Sequence, residues 1–310
     1  MPDLLSAIVG PTATGKTEVG ILLAERIGGE IVSADSMQVY RGMDIGTGKP
    51  TPEQLARVPH HLIGVIDPDA PFSVAEYQER ARAAIADIRA HGRQPILVGG
   101  SGLYVRAVVD GLALSMAPPD ADFRRRLTDE AAAGGPAALH ARLAELDPEA
   151  ARRIHPNDAK RIIRALEVYQ QTGQRISSLQ ELDRHRRARY NTRQSGLTAP
   201  RPELYRRIEA RVDEMVARGL ADEVRGLLGR GYGESLASMK GLGYAQLIPY
   251  LRGECSLDAA VSRLKRDTRR FAKRQLTWFR ADPRIEWVDV VAAGDPQAVA
   301  DIIGRRWQER

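Results

Sequence analysis

Apolar and polar positions follow two different rhythms in this chain, and the change falls near residue 111. Through residues 4–110, short apolar runs alternate with helix-forming stretches. Leu4-Leu5-Ser6-Ala7-Ile8-Val9, Glu30-Ile31-Val32-Ser33-Ala34 and Pro95-Ile96-Leu97-Val98 read as buried strands, and Glu18 to Arg26 reads as a helix. Such alternation predicts a parallel sheet with covering helices. After Gly111 the texture shifts. Pro118-Pro119 marks a break, and residues 120–185 are rich in Ala, Arg and Leu with no good strand, which predicts a helical insertion. Its clearest helix begins at Asn157, an N-cap type after Pro156, and stops near Gly173. Ile162, Ile163, Leu166 and Tyr169 form its apolar face; Lys160 and Arg164, four apart, share another. Residues 190–202 read as a loop returning to the core. A helix from about Glu203 follows, with Leu204, Ile208, Val212 and Met215 spaced for one face. Ser256 opens a long basic helix with Val261, Leu264, Thr268 and Phe271 inward. Residues 285–290 are a late strand, and a terminal helix follows Asp295-Pro296.

The chemistry starts at the end of the first strand. Residues Gly10-Pro11-Thr12-Ala13-Thr14-Gly15-Lys16-Thr17 have the G-x-x-x-x-G-K-[ST] spacing of a phosphate loop, in the strand–loop–helix context that it requires. Backbone N–H groups of such a loop close around phosphate oxygens, and the helix N-terminus adds positive potential. Lys16 reaches a terminal phosphate and the Thr17 hydroxyl is a ligand for Mg²⁺. The parts of a nucleotide hydrolase do not follow. The later strand Pro95–Val98 ends in Gly99-Gly100-Ser101-Gly102 without an acid, and no Asn-Lys-x-Asp motif occurs. The carboxylate at a strand end is Asp35. Carboxyl ends of strands in an open parallel sheet share one crevice, so Asp35 should face the phosphate loop. That suits a general base acting on an acceptor beside a bound phosphate or diphosphate; a turn residue or an outer-sphere Mg²⁺ partner would occupy the same position. The expected fold class is α/β, a P-loop parallel sheet core covered by helices, with an inserted all-helical domain. The core is expected over 1–115 and 199–310, the insertion over 116–198.

Composition narrows the setting. With 43% hydrophobic and 28% charged residues the chain has the balance of a globular protein. Its lone cysteine, Cys255, cannot form an intrachain disulfide and excludes a Cys/His zinc module. The first strand begins by residue 4, which leaves no room for a signal or transit peptide, and no run of about 18 apolar residues exists to span a membrane. A reducing, cytoplasmic, bacterial-type protein is expected, with no obligate protein partner and a monomer as the default. The net charge of +6 is modest, but its clustering says more. Arg124-Arg125-Arg126 form one cluster. Arg184, Arg186, Arg187, Arg189 and Arg193 form a second, and Lys265, Arg266, Arg269, Arg270, Lys273 and Arg274 a third, opposed only by Asp267. Stripes of this kind neutralise RNA phosphates or form solvated helix faces.

Seven blocks in order over residues 8–280 resemble the tRNA dimethylallyltransferases. They are the phosphate loop with its Gly-Pro-Thr-Ala, Asp35-Ser36-Met37-Gln38-Val39-Tyr40-Arg41, Asp44-Ile45-Gly46-Thr47-Gly48-Lys49-Pro50 and Pro59-His60-His61-Leu62. Then come Val98 to Tyr104, Asn157 to Tyr169 and Thr268 to Arg280. The resemblance implies transfer of the five-carbon group of dimethylallyl diphosphate to the exocyclic amine of the adenine just 3′ of the anticodon, with diphosphate released. The anticodon stem-loop of tRNA is then the acceptor, and Mg²⁺ at Thr17 the cofactor. Lys16, Thr12 and the loop N–H groups hold the diphosphate; Arg211 is a candidate clamp on it, and Asp35 takes the amine proton. Gln38 reads an adenine edge, as an amide can. Ser36, Met37, Ser101, Arg124, Lys160, Arg161, Ile162, Ile163 and Arg164 complete the implied tRNA contacts. Three positions depart from the pattern. Ser101 replaces a usual threonine, Gly48 stands where alanine is frequent (expected to be a minor backbone change), and Ala245 stands where a basic residue is common. A small-molecule P-loop kinase, a relative prenylating free adenine nucleotides, and a nucleotide-gated RNA-binding module are the competing readings.

Overall fold

The computed structural model describes residues 4–114, 120–185 and 190–309. They separate into two compact units, one of residues 1–109 with 190–310 and one of residues 110–189. Pro118-Pro119 and the arginines at 186, 187 and 189 lie outside the described residues.

The first unit is built on six parallel strands in the order β3-β2-β4-β1-β5-β6. They are β1 (Leu4–Val9), β2 (Gly29–Ser33), β3 (His60–His61), β4 (Gln94–Gly99), β5 (Asn191–Thr198) and β6 (Ile285–Asp289). Among the interior strands, β1, β2 and β4 read as largely apolar runs because both faces are covered. In β1, Ile8 packs with Val19, Leu23 and Ile303 on one side, while Leu5, Ala7 and Val9 pack with Ile85, Tyr77 and Val105 on the other. Four of the six strands, β1, β2, β4 and β6, lie where short apolar runs or a late strand were expected. The exceptions are the two-residue edge strand β3, where no strand was expected, and β5. Residues 190–202 were expected to be a loop, yet Asn191–Thr198 pairs with β1 over six positions and with β6 over five. Its polar residues are satisfied inside: the indole N–H of Trp307 donates to Ser195 Oγ, 3.2 Å. The core therefore resumes at residue 190, not 199.

Helix ends obey the chain's local chemistry. The helix Lys16–Ile27 closes on Gly28 in a left-handed conformation. The long helix Leu257–Arg280 is capped by Ser256, whose hydroxyl accepts from Ala259 N. A third core joins Val39, Met43, Val212, Leu220, Tyr244 and Leu264.

The second unit is helical. Phe123, Leu127, Leu139, Leu143, Ile162, Ile163 and Leu166 form its core. The helix Ala159–Thr172 is capped by Asp158, not Asn157, with the Asp158 side chain accepting from Arg161 N. Glu167 is fully buried there. Its carboxylate accepts from Arg124 Nε at 2.8 Å, Arg124 Nη2 at 2.7 Å, Arg164 Nη1 at 2.5 Å and Asp120 N at 2.8 Å. A buried carboxylate needs this much compensation, so both arginines serve the fold of the helical unit.

Candidate functional site at the carboxyl ends of the strands

Turns leaving β1, β2 and β4 meet in a cavity of about 820 Å³ at the carboxyl edge of the sheet. The strand order puts β4 between β1 and β2, so Asp35 does not stand on the strand next to the phosphate loop. The Gly99-Gly100-Ser101 turn lies between them. Its glycines are needed for closeness: a Cβ at Gly99 would overlap Ala34 O, and one at Gly100 would overlap the Gln275 amide.

The phosphate loop has the expected form. Gly15 is left-handed before the helix Lys16–Ile27, and Ala13 is held at φ 64°. The Thr14 hydroxyl turns inward to Pro11 O, 2.9 Å, and is buried; it shapes the loop. Gly10 passes so close to Leu197 of β5 that a side chain would overlap Leu197 O. Lys16 Nζ donates to Pro11 O at 2.6 Å. Burial, and then the positive charge of Arg211, lower the Lys16 pKa from 10.5 to about 7, against the opposite pull of Asp35. Arg211 is itself shifted down, by burial first, with Asp35 acting against it. Two basic side chains thus converge without a salt-bridged carboxylate among the described residues, which is the electrostatic condition for an anion site. Thr12, Ala13, Gly15, Lys16, Thr17 and Arg211 all line the cavity, and so does Asp35.

Asp35 Oδ1 accepts from Met37 N at 2.9 Å. Ser101 Oγ accepts from Ser36 N at 2.9 Å and donates to Ser36 Oγ at 3.1 Å, while Ser101 N donates to Ala34 O at 3.0 Å. The serine hydroxyl thus holds the Asp35–Ser36 turn without the methyl of threonine. Gln38 accepts from Ser33 Oγ at 3.0 Å and donates to Gly48 O at 3.2 Å. Both polar atoms of its amide have an internal partner.

Gly48, at φ 60°, lies beneath the guanidinium of Arg211, the flexible end of that side chain, so a Cβ there would displace the guanidinium and carry the strain of a positive φ. Glycine leaves the space in which that guanidinium sits.

Two site residues escaped sequence reasoning. Gln275 is buried in the basic helix, where its amide accepts from Thr12 N at 2.9 Å and donates to Gly100 O at 2.9 Å, bolting the phosphate loop to the Ser101 turn. Glu223 accepts from Asp44 N at 2.9 Å, Ile45 N at 2.7 Å, Gly46 N at 3.0 Å and Tyr244 OH at 2.7 Å, holding the loop that carries Gly48. Their backbone partners are far away in sequence: Gln275 stood inside the Thr268–Arg280 block without a role, and nothing local marked Glu223. His60 also lines the cleft; its Nδ1 lies 2.7 Å from Val58 O, and burial lowers its pKa.

Other expectations need correction. The side chains of Ile162 and Ile163 are 0% and 7% exposed and belong to the helical core. Arg124 and Arg164 are tied to Glu167. Lys160 and Arg161 are exposed, Arg161 beside Asp158. The third basic stripe is opposed by more than Asp267: Lys265 pairs with Asp213 at 2.6 Å, and Arg269 pairs with Glu209, both acids coming from the helix Arg201–Ala217.

The IPP transferase family matches residues 38–282. The tRNA dimethylallyltransferase of Desulforudis audaxviator is 53% identical over 310 residues, covering 100% of this chain and 99% of its own. The belonging is settled. This chain is a member of the tRNA dimethylallyltransferase family. The tRNA dimethylallyltransferase of Geobacter sulfurreducens is 51% identical over 94% of this chain and 93% of its own. Among solved structures, the tRNA isopentenylpyrophosphate transferase of Bacillus halodurans aligns with a TM-score of 0.72 at 44% identity, over 99% of this chain and 97% of that one. A eukaryotic dimethylallyltransferase described as acting on tRNA aligns with a TM-score of 0.77 at 26% identity, over 93% and 74%. Like other members of the tRNA dimethylallyltransferase family, the chain is a transferase. None of its described helices is long and apolar enough to cross a membrane.

Proposed function

We propose that this enzyme transfers the dimethylallyl group of dimethylallyl diphosphate to N6 of the adenine 3′-adjacent to the anticodon in tRNA. The observation that carries the reading is one cleft lined by the phosphate loop, Arg211 and Asp35, together with a β4 turn that bears no acid. The carbon–oxygen bond of the donor breaks and its electron pair leaves with diphosphate. The adenine amine forms the new carbon–nitrogen bond, and its proton passes to Asp35. Lys16, Arg211 and the loop N–H groups stabilise the charge that builds on diphosphate. Thr12 gives its own N–H to Gln275, so it contributes its hydroxyl.

Magnesium fits the donor set. Among the described residues the Thr17 hydroxyl has no internal hydrogen bond, and no cluster of three His, Cys, Asp or Glu side chains stands there. Such a site suits a hard ion that takes most ligands from phosphate oxygens and water. Bound beside Thr17, Mg²⁺ would neutralise diphosphate charge. On the acceptor side, Ser36, Met37, Gln38 and Ser101 lie at the cleft. Lys160 and Arg161 offer cations on the helical unit for the backbone of the anticodon stem-loop.

Calorimetry tests the donor assignment and the state of Lys16 together. With its pKa near 7, Lys16 is mostly neutral at pH 8 in the free enzyme. An anion restores its charge, so dimethylallyl diphosphate with Mg²⁺ binds with uptake of close to one proton, read from the buffer dependence of the heat. ATP with Mg²⁺ binds more weakly. Tighter binding of ATP would turn the site into that of a kinase.

A further inference from the structure

The turn formed by residues 44–49 supplies no reacting group, yet it touches both sides of the reaction. Gly48 O accepts from the Gln38 amide at 3.2 Å. The guanidinium of Arg211 lies against the α-carbon of the same glycine. One residue thus borders the amide assigned to adenine and the cation assigned to diphosphate. Any shift of Gly48 moves both.

The turn is stiff. Gly48 N donates to Ile45 O at 3.0 Å, Lys49 N to Asp44 O at 3.1 Å, and the Thr47 hydroxyl to Met43 O at 2.6 Å. Lys49 Nζ donates to Asp44 Oδ1 at 2.6 Å and also to Tyr40 O, which ties the turn to the segment carrying Asp35 and Gln38. A turn braced in this way moves as one piece.

Glu223 sets where that piece stands. Its Oε2 accepts from Asp44 N and Ile45 N, and its Oε1 from Gly46 N and the Tyr244 hydroxyl. Three successive backbone N–H groups on one carboxylate are charge-assisted bonds, stronger than those between neutral groups. The buried ring of Tyr244 fills the space beside Gly46, where a Cβ would overlap it. Arg211 and Glu223 stand on consecutive helices, Arg201–Ala217 and Leu220–Gly229, joined through left-handed Gly219. The turn is therefore gripped from both. Glu223 itself lies outside the cleft lining. The charges that bear on Arg211 are those of Asp35, Glu214 and Arg218, so the influence of Glu223 on the guanidinium runs through the backbone of the turn.

Transfer needs the donor carbon and the adenine amine within bonding approach and in line, and a misplacement of about 1 Å costs about 10²-fold in rate. We propose that Glu223 is a positioning residue for transfer: by fixing the turn of residues 44–49, it holds the Arg211 clamp and the Gln38 amide in register. This rests on the reading of diphosphate beside Arg211 and adenine beside Gln38, and it adds to that reading what sets the spacing between them.

The test is single-turnover transfer from dimethylallyl diphosphate to tRNA by the full-length enzyme, with both substrates saturating. Glu223→Ala lowers the rate constant by about 30- to 100-fold, the scale of a misplaced donor or acceptor. Its KM for either substrate moves by no more than about threefold, because binding groups remain and only their register is lost. Glu223→Gln keeps the side-chain shape and one acceptor oxygen, and recovers about tenfold of that loss. In an Arg211→Gln background, Glu223→Ala costs no more than about threefold further, since the clamp that it positions is gone. A carboxylate that only stabilises the fold would lower Tm and the fraction of active enzyme, leave the rate constant of the bound complex unchanged, and add its cost in full to Arg211→Gln. If Glu223→Ala does not fold, Glu223→Gln in the two backgrounds decides by the same rule. A wild-type rate constant in a folded Glu223 variant overturns the inference, as does full additivity with Arg211→Gln. Wild-type transfer by Arg211→Gln would overturn the clamp, and wild-type enzyme that transfers nothing to tRNA the acceptor assignment, each taking the inference with it.

Discussion

Asp35→Asn lowers the rate of dimethylallyl transfer by about 10² to 10⁴, the range that a positioned general base contributes, while tRNA and donor binding stay within about twofold. The substitution is nearly isosteric. Asn keeps an oxygen for the Met37 N–H that Asp35 Oδ1 now accepts, so the turn survives. What disappears is the lone pair that takes the amine proton. The adenine amine is a poor nucleophile and becomes acidic only as the new bond forms. A missing acceptor is therefore felt in the transition state and hardly in the ground state. Single-turnover rates and separate binding titrations distinguish the two. A loss of tRNA affinity as large as the loss of rate would make Asp35 a binding residue.

Lys16→Met is expected to cut the same rate by about 10² to 10³, comparable to the loss of one donor to a developing anion, and yet to leave the fold no less stable. Lys16 sits in a place that penalises its charge: burial and Arg211 bring its pKa to about 7. Between pH 7 and 10.5 the unfolded chain binds the proton that the native enzyme has released, so wild-type stability gains from this group as pH rises through that window. Below pH 7 both states are charged and the burial cost is borne in full. Methionine has a similar stem and no charge, so the variant lacks this gain and avoids the cost at low pH. Its one loss is the donor to Pro11 O. Denaturant melts at pH 6.5 and 9.5 read the difference. Equal destabilisation at both pH values would show that Lys16 holds the loop mechanically, with no electrostatic strain set aside for the anion.

The parts of this site that were legible in the chain are those whose signal is local. A phosphate loop announces itself by glycine spacing between a strand and a helix, and Asp35 by its place after an apolar run. The sheet was legible for the same reason, since strands buried on both faces are short and apolar. The strand β5 was not, because Arg193, Gln194, Ser195 and Gly196 carry no apolar run. Its partners are β1, β6 and Trp307, and only the assembled fold gives Ser195 a donor. Gln275 and Glu223 were hidden by distance, since the amide and the carboxylate act on backbone groups more than a hundred residues away. The basic stripe misled for a related reason. Asp213 and Glu209 neutralise Lys265 and Arg269 from another helix, and the free cations shift toward Lys273 and Arg274. In the helical unit the apolar face of Ile162 and Ile163 is buried in the core, as its spacing indicated.

One measurement addresses the central claim, that the phosphate loop holds a leaving group and Asp35 serves an adenine acceptor. The enzyme is incubated with labelled dimethylallyl diphosphate, Mg²⁺ and unmodified tRNA, with adenosine monophosphate and adenosine triphosphate as separate acceptors. Label on tRNA adenine, and on neither free nucleotide, is the result expected. Label on a free nucleotide, or hydrolysis of adenosine triphosphate with no transfer at all, would contradict it.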